Sequence, residues 1–487
     1  MDIKIWQEKI KQKVKKWTYR DFLQNIASLF PLNLYKYQDL ITIYPPVFSS
    51  QIKVIDSSNQ WNIDLITKNY DFGHNFFYNW EKFFYQNVFP NIIDFGSNEN
   101  SKYANLIYWV KNAYLTYESS LNTENLLYSI SVKENCKNVL NSAIVWDSSE
   151  NIYFTTAVIK SYNIFYSKYI HNSNNIWFCS NLIWCSECIF CDGLINKSYC
   201  INNIEYTKED FYSKKYEILN KKTEFMSWYK KLKSTGLNIW SSSVEGNFIM
   251  DSENISNGFA VWQVKDWKNL FMVSGTKWDT NIYSCMSSGA EKCNDLYACF
   301  DCGISENVYF SQHIGFGYNI FYSYDLMWCS YCLGCVWLRN KKYCIFNTEY
   351  SEEERYNLAE KIFLQMEKDN ILGEMIPNSL NPFYFNDTLA YIVWDFTRDE
   401  AIAKWYKRRE YEIKVDIPAW LEIIDIDKLD ISIYDESILK KVIKDKDWNY
   451  YRIVNMEYDF LKKYELPLPD LHWLDRMKLH FKSLNIK

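Results

Sequence analysis

The amino-acid sequence predicts a mainly β protein, a parallel β-solenoid of 12–13-residue units in two halves, with helical caps and α+β flanking segments. Two observations carry this prediction. A short frame of an asparagine, an apolar run and a small polar residue recurs at a nearly fixed period, and a cysteine-rich module occurs twice. A fixed period with one strand-like run and one polar turn in every unit is typical of solenoid proteins.

The frame returns at nearly constant steps along both halves of the chain. Each copy has four or five strand-forming residues followed by Ser, Asn, Lys or Glu, which suits one strand and one bend. Equivalent residues then stack about 4.8 Å apart, so we expect hydrogen-bonded asparagine ladders and stacked structural aromatic columns. The period leaves open whether one unit or two units form a coil. The frame starts at Asn112, Asn125, Asn138, Asn151, Asn163 and Asn175, and again at Asn257, Asn269, Asn281, Asp295, Asn307 and Asn319.

Each half ends in the cysteine module, and a charged helix-like segment follows it. Residues 207–231 and 351–368 are nearly free of Gly and Pro, and we expect them to cap the solenoid ends. Further helices are expected over residues 4–16, 400–410, 436–444 and 456–463. The predicted regions are 1–104 (N-terminal α+β), 105–205 (first solenoid half), 206–250 (helical linker), 251–350 (second half) and 351–487 (helical cap and C-terminal α+β).

Charge and motifs favour a non-catalytic protein. A formal net charge of −6 gives no global attraction to nucleic acid or anionic membranes. No apolar run reaches the length of a membrane span and no signal peptide is seen, so we expect a cytoplasmic protein. Nucleotide-binding, zinc-protease and serine-hydrolase motifs are missing. His472 and His480 are expected on the surface, whereas Asp295 and Asp301 could line a groove as in polysaccharide-cleaving β-helices.

The two cysteine modules share the spacing C-x2-C-x2-C-x8-C. Four thiolates at this spacing can close a tetrahedral zinc site, so zinc is the one possible cofactor. Cysteines separated by one full period of the repeat would instead stack one above another as small core residues. Redox chemistry is a third alternative. The candidate metal ligands are Cys185, Cys188, Cys191 and Cys200, then Cys329, Cys332, Cys335 and Cys344, and Cys285, Cys293, Cys299 and Cys302 repeat the ambiguity.

Tryptophan outnumbers glycine, 20 to 13, although glycine normally makes up about 7% of a protein. Gly193 of the first module aligns with Trp337 of the second. Glycine tolerates positive φ and tryptophan has the largest side chain, so the two residues seldom share a structural position. Trp109, Trp184 and Trp328 also stand where turn residues are expected. We therefore predict that several tryptophans correspond to UGA codons that the source organism reads as glycine.

Three frames together resemble an uncharacterised family of cysteine- and aromatic-rich repeat proteins from candidate-phyla bacteria. They are K-N-A-Y-L (residues 111–115), G-C-V-W-L-R-N-K-K-Y-C-I (334–345) and L-P-L-P-D-L-H (466–472). The family frames read K-N-C-Y-L and G-C-V-G-L-R-N-K-x-Y-C-I, so Ala113 departs from the pattern. The resemblance implies glycine at Trp337, and it implies no activity.

The function that the sequence favours is a non-catalytic repeat scaffold or binding protein that presents an extended solenoid face to an unknown protein or glycan partner. Two alternatives stay open. The first is a structural zinc-binding module that uses the two four-cysteine clusters. The second is a polysaccharide-acting β-helix enzyme, which would require a pair of carboxylates in an open groove.

Overall fold

The fold was analysed in a computed structural model that describes residues 3–62, 64–233, 236–274, 282–286, 294–393, 396–411 and 417–482. The chain is mainly β and forms a parallel β-solenoid of about 18 turns with helices at its ends, which confirms the predicted fold class. It divides into two compact units. Unit 1 contains residues 1–92 and 238–409, and unit 2 contains residues 93–237 and 410–485.

The solenoid of unit 2 has two short strands in each coil. Ile164 pairs in parallel with Ile176, and Ile170 with Leu182. One predicted unit is therefore one coil. Its strands are Tyr103–Leu127, Ile130–Lys133, Lys137–Leu140, Ala143–Trp146, Glu150–Tyr153, Thr156–Ile159, Tyr162–Phe165, Lys168–His171, Asn174–Trp177, Ser180–Ile183, Ser186–Ile189, Ser198–Ile201 and Ile204–Glu205.

Helices and a small sheet complete unit 2. Helix Lys208–Leu219 starts at the N-cap Thr207, whose side chain accepts a hydrogen bond from the Asp210 amide. The other helices are Phe225–Lys231, Asn455–Lys463 and Trp473–Lys482, with 3₁₀ turns Lys222–Glu224, Ile426–Lys428 and Glu436–Lys440, and the small sheet contains Glu422–Asp425, Lys441–Lys444 and Tyr450–Tyr451. The helix predicted over 436–444 is therefore wrong in its second half, where Lys441–Lys444 pairs with two strands.

Unit 1 has the same coil. Val308 pairs with Ile320, and Ile314 with Leu326. Its solenoid strands are Ser242–Met250, Glu253–Trp262, Lys265–Ser274, Tyr283–Met286, Asn294–Tyr297, Phe300–Gly303, Glu306–Tyr309, Gln312–Gly315, Tyr318–Phe321, Tyr324–Met327, Ser330–Leu333, Cys344–Ile345 and Thr348–Glu349. Short strands Tyr35–Tyr37, Leu40–Thr42, Lys53–Ile55 and Val88–Pro90 precede the solenoid.

The helices of unit 1 come before and after its solenoid. They are Ile3–Val14, Tyr19–Ala27, Pro46–Ser49, Phe76–Phe84, Glu352–Lys368, Leu389–Val393 and Arg398–Ala403, with 3₁₀ turns Ser57–Asn62, Asn378–Leu380 and Phe385–Asp387. Helix Glu352–Lys368 starts with a capping box between Ser351 and Glu354, so the predicted cap after the second cysteine module is a helix. The helix predicted over 400–410 ends early, at Ala403.

The coils bend by placing about every third residue in the left-handed region of φ. Asn163, Tyr166, Tyr169 and Asn172 have φ of 57°, 49°, 56° and 47°. The residue after each of these points into the coil, so one residue in three lines the core. Asparagine is one of the few side chains that adopt this conformation readily. The Asn163 amide donates to the Asn175 side-chain oxygen at 2.8 Å, as the expected ladder requires.

Candidate functional site

Two kinds of column alternate inside the solenoid. One is aliphatic, as at Ile164, and the other is small and polar, as at Ser167. The Ser167 hydroxyl donates to the Phe165 carbonyl at 2.8 Å and accepts the Cys179 amide at 3.1 Å. Cys179 repeats this role one coil later, because its thiol donates to the Trp177 carbonyl and accepts the Cys191 amide at 3.2 Å. Cysteine thus replaces serine in a backbone-bridging column.

The predicted cysteine clusters are brought together in the last coils of each solenoid. The first three cysteines of a cluster take successive inward positions of one coil, and the fourth lies one coil further on, so that Cys188 pairs in register with Cys200. All of them are buried, with at most 2% of the residue exposed; they are Cys185, Cys188, Cys191, Cys200, Cys329, Cys332, Cys335 and Cys344. The stacking that the repeat period predicted is therefore present.

The thiols of each cluster contact one another through one central cysteine. In unit 1, Cys332 is hydrogen-bonded to Cys329, Cys335 and Cys344. Among the residues that the structure describes, no group of three or more His, Cys, Asp or Glu side chains is arranged to hold a metal ion. Zinc at these cysteines stays a prediction. In the serine-like column, burial raises the pKa of Cys179, which favours the neutral thiol there.

The weaker third cluster is described only in part. Cys285, Cys299 and Cys302 are fully buried in the core of unit 1, and Cys293 lies outside the described residues. The Cys299 thiol contacts the Tyr297 carbonyl at 3.4 Å, just as the Cys179 thiol contacts the carbonyl of Trp177. The described cysteines of this cluster are therefore core residues that bond to the backbone.

Of the two C-terminal histidines that were expected on the surface, His480 is buried and His472 is half-buried. His480 is fully buried, where its Nε2 lies 2.8 Å from the Asn141 carbonyl and its Nδ1 2.8 Å from the Thr156 hydroxyl. Burial lowers its pKa to about 3. Burial also lowers the pKa of His472 to about 4. His480 lies on helix Trp473–Lys482 and His472 just before it, and nothing in the sequence of that helix shows that the solenoid covers it.

Three carboxylates on the solenoid of unit 1 are engaged by neighbouring side chains, and the first of them, Asp295, accepts a hydrogen bond from the Tyr297 hydroxyl at 2.9 Å. Asp301 lies 3.1 Å from His313 Nδ1, and Asp325, one coil beyond His313, is 1% exposed and is held by Arg339 Nη2 at 2.5 Å. Burial raises the pKa of Asp325, and the Arg339 charge opposes that shift. A glycosidase needs two accessible carboxyl groups across a sugar, and this network does not supply them.

One edge of the solenoid of unit 1 exposes an apolar column that the sequence analysis did not single out. We define the open corner as Ile304, Phe316 and Trp328, which occupy the same position in three successive coils and are 41%, 45% and 47% exposed. The rings of Phe316 and Trp328 stack, with centroids 5.6 Å apart and planes at 15°. Their separation by exactly one coil period each was the available signal in the sequence.

The same corner of unit 2 is polar at two of its three positions and carries Trp184, which is 43% exposed, at the third. Lys160 and Asn172 stand at the positions that correspond to Ile304 and Phe316, and Lys160 pairs with Asp147 at 3.1 Å. The two units therefore share a core but differ in what this corner presents to solvent.

Fold and site together define a β-solenoid repeat protein with buried thiol columns and an exposed aromatic corner. No protein-family model, curated protein sequence or solved structure matches the chain. None of the described helices is long and apolar enough to cross a membrane.

Proposed function

We propose that the chain is a non-catalytic binding protein and that the open corner of unit 1 contacts its partner. One observation carries this proposal. Two apolar side chains in register, Ile304 and Phe316, are left exposed where the corresponding positions of unit 2 carry Lys160 and Asn172. Solenoids commonly use an extended repetitive face for recognition, and clustered exposed apolar groups mark interaction sites.

The corner suits a partner with a flat apolar surface, either a protein strand or the face of a sugar ring. Phe316 and Trp328 stack side by side, so they offer a continuous surface with ring edges in one line.

Site-specific photo-crosslinking tests the proposal. A photoreactive phenylalanine analogue placed at Phe316 is compared with the same analogue at Asn172, the matched position of unit 2, in extract of the source organism. We expect one dominant adduct at position 316, identified by mass spectrometry and lost when Ile304 is changed to Ser. Identical adducts at both positions, or none at 316, would refute the proposal. The design leaves position 328 unchanged, because recoding would replace that tryptophan with glycine.

A glycan partner is tested separately by affinity electrophoresis in gels that contain soluble polysaccharides. The protein should be retarded by at least one of them, and Phe316→Ser should abolish the retardation while Asn172→Ser leaves it intact. If no polysaccharide retards the protein while the crosslink at 316 forms, the partner is a protein.

A further inference from the structure

Unit 2 contains a cleft of about 380 Å³ between the early coils of its solenoid and the C-terminal segment that packs on them. Tyr114 and Tyr128 line the cleft from the solenoid, residues 450–455 line it from the small sheet, and His472 and Trp473 line it at the start of the C-terminal helix. Small-molecule sites usually have volumes of about 300–1,000 Å³. The cleft is therefore large enough to take a small organic molecule.

Rings dominate the wall of the cleft, since six of the twelve residues that line it carry an aromatic or imidazole ring. Trp473 is half-buried and stacks on Tyr128, with ring centroids 6.0 Å apart and planes at 12°. Tyr114 is also half-buried and meets Tyr128 edge-on, with centroids 6.0 Å apart. The φ of Trp473 is not in the left-handed region, so its backbone gives no reason to expect glycine there. Half-buried rings that are held by their neighbours favour a planar, ring-bearing ligand.

The charge of the lining comes from one side chain. Arg452 is the only Lys, Arg, Asp or Glu among the residues that line the cleft. It is exposed, and its Nη2 donates to the Leu439 carbonyl at 2.6 Å, which is its one hydrogen bond with the described part of the chain. A guanidinium has five N–H donors, so most of them remain for an anionic group.

His472 adds a neutral donor to the lining. Burial lowers its pKa to about 4, so the imidazole is uncharged at neutral pH. Its Nδ1 accepts the Leu474 amide at 3.3 Å, which assigns the ring proton to Nε2. The His472 amide donates to Asp445 Oδ2 at 3.2 Å, and the Tyr451 hydroxyl donates to the Pro469 carbonyl at 2.8 Å. These bonds fix the wall independently of what the cleft holds.

We propose that the cleft binds one small planar molecule that carries both an aromatic ring and an anionic group. The ring lies against Trp473 and Tyr114, and the anionic group accepts hydrogen bonds from Arg452, with the Nε2–H of His472 as a further donor. A mononucleotide and an aromatic carboxylate share this chemistry and suit a cleft of this size. A neutral ring alone, or an anion alone, uses only part of the lining. The site is independent of the open corner of unit 1.

Equilibrium dialysis of the full-length protein against two sets of compounds tests the proposal. The first set is adenosine monophosphate with its fragments adenosine and ribose phosphate. The second is indoleacetate with indole and acetate. We expect at least one of the two intact compounds to bind at one molecule per chain, about tenfold or more tighter than either of its fragments. The intact compound that binds more tightly shows whether the ligand is a nucleotide or a carboxylate.

Two exposed cations of unit 2 provide a matched pair of variants. Arg452→Gln should weaken binding by about tenfold or more, because the hydrogen bonds to the anionic group lose their charge. Lys446→Gln should leave binding unchanged, because Lys446 pairs with Asp427 and does not line the cleft. The bound compound should raise the unfolding temperature of the wild-type protein and of Lys446→Gln, with a much smaller rise in Arg452→Gln.

Tyr114→Ala separates the role of the ring from that of the charge. It should weaken binding of the intact compound while leaving the affinity for the anionic fragment unchanged. Three results would overturn the proposal: neither intact compound binds, a fragment binds as tightly as its intact compound, or Arg452→Gln and Lys446→Gln bind with equal affinity.

Discussion

Replacing Trp405 with glycine should stabilise the protein. Trp405 follows helix Arg398–Ala403 with φ of 63° and is 78% exposed. Its amide donates to the Ile402 carbonyl and the Tyr406 amide to the Ala401 carbonyl, both at 3.0 Å. These two bonds make a complete Schellman ending, in which the left-handed residue is usually glycine.

The magnitude follows from two opposing contributions. A side chain in the left-handed region costs roughly 1–2 kcal/mol, and glycine costs roughly 0.5–1 kcal/mol of extra chain entropy on folding. Little apolar area is lost, because the indole is mostly in solvent. We therefore expect Trp405→Gly to raise the free energy of unfolding by about 0.5–1 kcal/mol, measured by urea denaturation.

Two variants make this result interpretable. Trp405→Ala removes the indole but keeps a Cβ, so it should not reproduce the gain. Trp146→Gly should cost about 3–5 kcal/mol, because this indole is buried and its Nε1 donates to Ser131 at 3.1 Å. A loss of stability in Trp405→Gly, or an equal gain in Trp405→Ala, would contradict the backbone argument.

The positive φ of Trp405 also bears on the prediction that some tryptophans correspond to UGA codons read as glycine. Seven of the described tryptophans have φ between 50° and 66°, namely Trp109, Trp184, Trp240, Trp328, Trp337, Trp405 and Trp448. Gly193 has φ of 69° where Trp337 has 61°, so the aligned pair shares a backbone conformation. We propose that glycine occupies such positions in the natural protein. Peptide masses from the source organism with tryptophan at 337 and 405 would exclude it.

Three further predictions concern the core. Ser167→Ala should lower the free energy of unfolding by about 1–3 kcal/mol, because it leaves a buried amide unpaired. Cys179→Ser keeps both bridging bonds and should change the free energy of unfolding by less than about 1 kcal/mol. Equal losses in urea denaturation would contradict the bridging role. Asn163→Ala should cost about 1–2 kcal/mol through two lost ladder bonds and a less tolerant left-handed residue, and a neutral result would remove the ladder from the account. Burial lowers the pKa of His480 to about 3, so below about pH 6.5 the unfolded chain binds a proton that the folded chain does not. The free energy of unfolding should therefore decrease as the pH falls from there, by up to about 1.4 kcal/mol per pH unit. His480→Gln should flatten this pH dependence, and an unchanged slope would mean that the imidazole does not gain a proton on unfolding.

The period could be read from the sequence because each coil repeats its own local chemistry. In the frame that begins at Asn163, the asparagine takes the left-handed turn, Ile164 points inward and Ser167 bridges the backbone of the next coil. The sequence did not show whether the aromatic residues point into the coil or away from it. Phe165 and Tyr166 lie outside the coil and are buried by Tyr464 and Tyr229, which are distant in sequence. Only tertiary contacts decide this.

The cysteine clusters show the same limit. Spacing alone allowed a zinc site and a stacked column, and the structure shows the stacking, because C-x2-C-x2-C places three thiols on neighbouring sides of one coil and the fourth cysteine lies one coil further on. The helices that follow the two clusters differ at one buried position, which is Phe211 in unit 2 and Arg355 in unit 1. Both residues lie in helices outside the cysteine module, and no pattern within the module indicates which residue stands there.

The contrast between inward residues, which the repeat predicts, and outward residues, which it does not, is found in both units. Most inward residues of the two units agree in kind, since aliphatic and small polar positions recur in both, although Cys302 stands where unit 2 has Val158. The outward residues differ: Ile304 and Phe316 stand where unit 2 has Lys160 and Asn172. Inward positions are limited by the width of the coil, whereas outward positions are limited only by what contacts them. The differences between two copies of one scaffold are therefore the best guide to their separate functions, and here one such difference lies at the open corner.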